Sequence, residues 1–461
     1  MKPLILVAGA SGYIAGLLVP RLLQLKYRVR CLVRDPSGLA GKEWADDVEV
    51  VIGDLLQPDT LPAVMRGVRD AYYLVHSMSS GKGYPHQDER AACNFAFAAE
   101  EAHLDHIIYL GGLADPQNLI STHMRSRVEV GGALQSGVVP VTEFRAGVIV
   151  GPGSISFEII RFLTEQFPLL IGPPWLRNMS QPIAAENVVE YLVAALDNPE
   201  CRGRVIEIGG ADVMRYIDCI REYALQRGLR RRVWVVPFLP VRVLAWMVGL
   251  LTPVPFSIAR PLIEGLKTPA VVYDDSGRRL FPDLQPEGYH EALVRSLNTL
   301  CPGDVKLPSG RVPVGKTLKH RGFLLMVHRQ EAKGTAGQVF DRIEKMMTEG
   351  KALPPLLLWQ PFGWFKRRTK KSAGGRRGKN PVMIHLDCRE PGHRLRFCSE
   401  ETRQGQTWLE WILEPLDGST LLIQVLWFAP RGLLGFISWY ILGPFRRVLL
   451  GRVVQQIGAG G

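Results

Sequence analysis

Apolar runs of strand length alternate with helix-period stretches through the first three hundred residues. Leu4 to Ala8 is uninterrupted and apolar, a glycine-bearing turn follows, and Leu18, Leu22 and Leu25 then share one helical face. Val29 to Val33, Val48 to Ile52 and Ala71 to Val75 read as further strands, with Leu61 to Met65 as a short helix. Residues 87–103 place Ala92, Phe95, Ala96 and Ala99 on one face, and His106 to Leu110 forms a fifth strand. A helix opens near Thr122, strands follow at Val139 to Phe144 and Val205 to Ile208, and Val213 to Gln226 reads as a helix. Continuous apolar strands separated by helical crossovers predict an α/β fold, a Rossmann-type doubly wound parallel sheet. Pro20 falls inside the first helix and removes a hydrogen bond to Gly16, so a bend is expected there.

The pattern changes after Leu300. Leu300 to Thr317 is rich in Pro and Gly and has no period, which marks a linker. Beyond it come a strand (Gly322 to Gln330), a helix (Thr335 to Met347) and four alternating strands, Val382 to Asp387, Arg394 to Ser399, Thr407 to Glu414 and Thr420 to Phe428. A closing helix carries Leu433, Phe436, Ile437, Tyr440, Ile441, Phe445, Val448 and Leu449 at helical spacing. This order predicts an α+β helix-grip domain with an antiparallel sheet. The expected organisation is residues 1–300 as the nucleotide-binding domain with a substrate-side lid, 301–320 as linker, and 321–461 as the helix-grip domain. The uncharged part of the closing helix, Gly432 to Phe445, is too short to span a bilayer.

Composition changes little of this picture. At 461 residues the chain exceeds one ordinary core. Its seven cysteines are scattered without a C-x-x-C, which suggests neither a disulfide framework nor a zinc site, so no metal is expected. Met1-Lys2-Pro3 runs straight into the first strand, and the expected location is the cytoplasm. The net charge of +12 is concentrated: eight cations lie between Lys366 and Lys379 with no acid among them. A run of this kind reads first as a solvated loop, with peripheral contact to anionic membrane, helped by the apolar helices, as the further option; nucleic acid is not expected.

The candidate chemistry begins at Gly9-x-x-Gly12-x-x-Ala15-Gly16. Between strand and helix, such glycines allow a tight turn and let backbone N–H groups and the positive end of the helix reach a diphosphate. Gly9, Ser11, Gly12, Tyr13 and Ile14 are therefore candidate cofactor contacts. Arg34 ends the second strand, where an arginine accommodates a ribose 2′-phosphate, so NADP(H) is preferred; Asp35 beside it keeps NAD(H) open. Asp54, with Leu55, and His76 with Ser77 follow later strand ends and border the same crevice. Val233 to Leu251, broken by Pro237 and Pro240, reads as a helical lid whose Trp246, Met247 and Leu250 line an apolar pocket, core packing being the plainer alternative.

Taken together, Gly9-x-x-Gly12-x-x-Ala15, Arg34, Gly53-Asp54-Leu55, Tyr73-Leu-Val-His-Ser-Met78, Ile108-Tyr-Leu-Gly-Gly-Leu113 and Val141-Thr-Glu-Phe-Arg145 resemble the atypical, NmrA-like branch of the short-chain dehydrogenase/reductase superfamily. Gln181-Pro182-Ile183 with Asn187-Val-Val-Glu-Tyr-Leu192 adds to the likeness. Gly405-x-x-Trp408-Leu-Glu-Trp-x-x-Glu414 and the run from Phe428 to Arg446 resemble a domain of unknown function, related to polyketide-cyclase and START-type domains, fused behind that branch. The resemblance implies NAD(P) binding and carbonyl or alcohol chemistry, but the superfamily's Tyr-x-x-x-Lys pair is absent. His123 and Arg127 stand at the matching positions, and Gly111-Gly112 replaces the catalytic serine. His123 can donate a proton near neutral pH; Arg127 can bind ribose hydroxyls but cannot serve as a base.

Three readings follow. The first is an NADP(H)-binding oxidoreductase for a small apolar carbonyl or alcohol, with His123 and Arg127 as catalytic candidates. The second is a non-catalytic dinucleotide sensor or scaffold, and the third a lipid carrier working through the C-terminal domain. Nothing in the sequence fixes the oligomeric state.

Overall fold

The computed structural model describes residues 2–39, 42, 44–76, 84–113, 121–252, 254, 256–299, 315–320, 323–348, 384–399, 402 and 404–459. The chain forms two compact units: Met1–Leu163 with Leu169–Thr299, and Thr164–Pro168 with Leu300–Gly461.

The first unit is built on seven parallel strands. In chain order these are β1 (Leu4–Ala8), β2 (Arg28–Val33), β3 (Glu49–Ile52), β4 (Asp70–Tyr73), β5 (His106–Gly112) and β6 (Val141–Ala146), with Val205–Ile208 added at the edge. Their spatial order is Val205–Ile208, β6, β5, β4, β1, β2, β3. The chain therefore winds outward from β1 to β3, returns to the other side of β1, and continues outward. That reversal opens a crevice at the carboxyl ends of β1 and β4, where a doubly wound sheet binds ligands.

Helices cover both faces because β1 is apolar on both. Ile5 and Val7 pack with Ala15, Leu18 and Leu22 of α1 (Tyr13–Gln24) and with Val188 and Leu192 of the helix Ala185–Asp197. Leu4, Leu6 and Ala8 point the other way, onto Ala92, Phe95 and Ala99 of α3 (Tyr84–Glu101) and Val130 and Leu134 of α4 (Thr122–Gln135). The short α2 (Leu61–Met65) lies on this second side. Helix α1 runs uninterrupted through Pro20, whose missing donor faces Gly16.

The segment read as one lid is two elements. Arg232–Val235 is a strand parallel to Leu169–Gly172, and the helix starts only at Val241. Four residues pair because Val233 and Val235 can turn inward while Trp234 faces out. A second helix, Phe256–Gly265, packs on Val241–Leu251 through Ala245, Val248, Ala259 and Ile263.

The second unit holds a six-stranded antiparallel sheet in the order Thr317–His320, Phe323–Lys333, Ser419–Pro430, Gly405–Leu416, Arg394–Ser399, Ile384–Glu390. Thr317–His320 lies within the stretch expected to be linker; its pairing with Phe323–Met326 makes it an edge strand instead. Residues 301–314 and the basic run Lys366–Lys379 lie outside the described residues. Alternation divides the sheet: Trp408, Val425 and Trp427 pack on one face, while Gln424 and Phe428 face the closing helix. That helix runs from Gly432 to Ala459, 28 residues, well past the predicted uncharged stretch, and by length and composition it could cross a membrane. Trp439, Leu442, Leu450, Val453 and Ile457 form its buried stripe within the chain.

Arg446 lies on the same stripe. It is 2 % exposed, its Nε and Nη1 have no hydrogen-bond partner, and its guanidinium rests 4.9 Å from the Trp439 ring and 5.8 Å from Phe428. Burial pushes its pKa down to about 10. Ring faces attract a desolvated cation by about 2 kcal/mol, less than the several kcal/mol that burying an unpaired ion costs. Arg446→Met keeps the stem and the packing while removing the charge, so its thermal melting temperature should equal or exceed that of the native chain. Arg446→Ala should melt lower, because it leaves a void.

Candidate functional site

The glycine turn is shaped by a close approach of backbone to backbone. Leu74 N–H donates to the Ala8 carbonyl at 2.9 Å, extending the β1–β4 pairing and bringing the Leu74 carbonyl beneath Gly9. A Cβ on Gly9 would stand 2.6 Å from that oxygen, and Gly9 has φ +88°, a region that side chains rarely adopt. Gly12 N–H donates back to Gly9 O at 2.9 Å and closes the turn. Gly12 then caps α1 with no side-chain acceptor, and the first turn carries no acid. The first N–H groups of α1 are thus left for an anion, with the helix dipole behind them.

These amides open onto a cavity of about 530 Å³. Gly9, Gly12, Tyr13 and Ile14 form one wall, and His76, His123 and Arg127 another. The remainder is apolar, including Ile159, Leu163, Leu244, Val248, Leu262 and Ile263. Leu244 and Val248 do line it from the Val241–Leu251 helix, but Trp246 and Leu250 do not: they are 61 % and 60 % exposed on the opposite face. The half-turn offset follows from helical period, since Leu244 and Val248 are four residues apart.

Four other candidates lie away from the cavity lining. Ser11 is exposed and its Cβ would sit 3.3 Å from one placed on Gly38. Arg34 is exposed at the end of β2 and makes no hydrogen bond or ion pair among the described residues. Asp54 Oδ1 accepts the Leu56 N–H at 3.0 Å. Leu55 is buried in the core, and its carbonyl accepts from Asn94 Nδ2 at 2.8 Å, so neither its side chain nor its carbonyl is open to a ligand. Ser77 lies outside the described residues.

The matched pair on α4 has its own geometry. Arg127 Nη1 donates to the Leu110 carbonyl at 2.7 Å, and the Tyr109 hydroxyl donates to the Arg127 carbonyl at 3.0 Å, tying the helix to β5. A Cβ on Gly112 would stand 2.6 Å from Met124 Cε, so α4 sits against β5 where a serine would otherwise project. His123 is 6 % exposed. Its Nδ1 lies 3.2 Å from His76 Nε2, and His76 Nδ1 lies 3.1 Å from Asp88 Oδ2 on α3. Burial holds the His123 pKa well below its ordinary value, with Arg127 and then His76 adding to the effect. His76 is lowered by burial and by Arg127, and Asp88 works against both. Asp88 has no signal in sequence: it is one polar residue on an amphipathic helix, joined to His76 only by the fold.

A family model described as NAD(P)H-binding matches residues 9–126. The first unit is an NAD(P)H-binding domain. Photosystem II assembly factor Ycf39 of Trieres chinensis is 26 % identical over 219 residues, 45 % of this chain and 63 % of that protein, so the match spans less than two thirds of the relative. Among solved structures, the triphenylmethane reductase of Citrobacter sp. aligns with a TM-score of 0.52 at 19 % identity, over 64 % of this chain and 99 % of that one. The NADPH-dependent quinone oxidoreductase of Escherichia coli, complexed with NADPH, aligns with a TM-score of 0.52 at 15 % identity, over 64 % and 100 %. At such identities these structures establish the fold alone.

The turn can be tested without knowing a substrate. Gly9→Ala must hold a side chain at positive φ against a carbonyl, so it should lose roughly 1–3 kcal/mol of stability together with NADPH binding, read by denaturant unfolding and calorimetry. Gly132→Ala, on the exposed side of α4 with nothing within 4 Å, should be neutral or stabilising.

Proposed function

We propose that the protein is an NADP(H)-preferring oxidoreductase that converts a small apolar carbonyl or alcohol. The observation that carries this reading is that one cavity joins the anion-binding amides of α1, the His123–Arg127 pair and an apolar wall. The amides after Gly12 would hold the diphosphate of NADP(H), which when bound would supply or take up the hydride. Arg34 is the residue for a 2′-phosphate. The competing acid, Asp35, has both oxygens engaged by Ser37, from N–H at 2.8 Å and from Oγ at 2.6 Å, and these bonds lower its pKa. An acceptor already holding two donors is a poor partner for the diol of NAD(H).

Arg127, anchored on Leu110, has further N–H groups for ribose hydroxyls. His123 handles the substrate proton, in place of a tyrosine. The apolar walls exclude water and select an apolar substrate body. Among the described residues, the order of strands, one helix and a long closing helix supports a helix-grip reading of the second unit.

Calorimetry on the full chain should show NADPH binding more tightly than NADH, and Arg34→Ala should weaken NADPH by roughly ten- to a hundred-fold while leaving NADH unchanged. A panel of apolar ketones and alcohols, followed by nicotinamide absorbance, should give turnover that His123→Ala lowers by about 10²–10⁴. Tight NADPH binding with no turnover on any of them would favour the sensor reading instead.

A further inference from the structure

The contacts among Asp88, His76 and His123 determine which nitrogen of each ring carries its proton. A carboxylate only accepts, so the 3.1 Å contact from Asp88 Oδ2 places an N–H on His76 Nδ1. A neutral imidazole has one N–H, which leaves a lone pair on His76 Nε2. The 3.2 Å contact there must then be donated by His123 Nδ1. His123 Nε2 is left as a lone pair, and it forms no hydrogen bond among the described residues. His123 lines the cavity.

We infer that Asp88 and His76 are positioning residues that present His123 to the cavity as a proton acceptor, so that the site binds and oxidises an alcohol carried on an apolar body. The inference rests on the oxidoreductase reading and sets the substrate class and direction of that same site. The substrate O–H bond breaks and its proton goes to His123 Nε2. The carbon gives up its C–H pair as hydride to the oxidised nicotinamide, and the alcohol becomes a carbonyl. The imidazolium that results is stabilised through Nδ1–H by His76, and His76 in turn by Asp88, as a buried acid orients a general base elsewhere.

Among the described residues, the charged groups that bear on the pair are Asp88 from α3 and Arg127 from α4. Burial and Arg127 outweigh Asp88, so both rings are neutral at pH 7 and take up a proton only below the ordinary histidine range. Oxidation should therefore run on a plateau through neutral and alkaline pH and fall as acid protonates the pair. Reduction of the matching ketone, which needs His123 as a donor, should rise on the same side.

Nitrogen-15 NMR of the full chain with labelled histidine reads the arrangement directly. At neutral pH both His76 and His123 should carry their proton on Nδ1, the reverse of the form histidine favours in water. An Nε2–H signal from His123 in the native chain overturns the inference, whether or not any turnover has been found. Absence of NADP(H)-dependent turnover with both rings in the Nδ1–H form would sink the oxidoreductase reading instead and leave the arrangement standing. Asp88→Leu removes the acceptor from His76 Nδ1 and should release both rings toward Nε2–H. Alcohol oxidation at neutral pH should then drop about 10²–10⁴-fold with little change in NADPH affinity. Unchanged rings and unchanged rate in that variant would also overturn it.

Discussion

The rest of the first unit depends on the approach of Gly9 to the Leu74 carbonyl. Parallel strands at the crossover point must leave room for a turn between β1 and α1 while still pairing with β4, and the only residue that fits there has no side chain. Because Leu74 is bonded to Ala8, the turn cannot relax away from the sheet. The start of α1 is consequently aimed across the crevice, and the same tight closure brings the end of β4, with His76, to the cavity wall. One backbone contact thus sets both the anion site and one member of the polar chain behind it.

That polar chain shows how one cause can act on several residues at once. Asp88, His76 and His123 come from α3, the end of β4 and α4, and α3 and α4 are held together by the apolar layer under β1. Burial that makes this packing favourable also removes water from the imidazoles, which disfavours their charged forms. With the solvent reduced, the contacts from Asp88 and between the two rings bear more strongly on the ring nitrogens. Asp88 is thereby linked to His123, at the cavity, through the His76 ring. Gly112 contributes by absence: the end of the Met124 side chain of α4 fills the space that a side chain there would take.

The second unit is arranged by alternation. Trp408 and Trp427 occupy one face of its sheet and Phe428 the other, where it stacks on Trp439 at 5.3 Å. Its buried tryptophans are matched by polar partners: Trp411 Nε1 donates to Gln424 Oε1 at 2.8 Å, and Trp427 Nε1 to Glu410 Oε2 at 2.7 Å. Arg446 is not matched in this way: its guanidinium is answered by ring faces and no carboxylate among the described residues.

By itself the sequence determined the elements with strong local patterning. Leu4–Ala8, Leu61–Met65, Val205–Ile208 and Arg394–Ser399 fall where period and composition put them, and Gly9 and Gly12 announce the turn because their spacing is local. Elements fixed by distant partners were not legible: Thr317–His320 is a strand only because Phe323–Met326 lies beside it, and Arg232–Val235 only because of Leu169–Gly172. The closing helix outran its uncharged stretch because burial against the sheet holds its later turns, Leu450, Val453 and Ile457, despite Arg446 and Arg447. The site divides in the same way. His123 and Arg127 could be found by their position on α4, but Asp88 could not, because a hydrogen bond between side chains 12 residues apart leaves no trace in either neighbourhood. Local sequence carries period, turn chemistry and cap signals, whereas burial, proton placement and the partner of each buried polar group exist only once separate elements have packed.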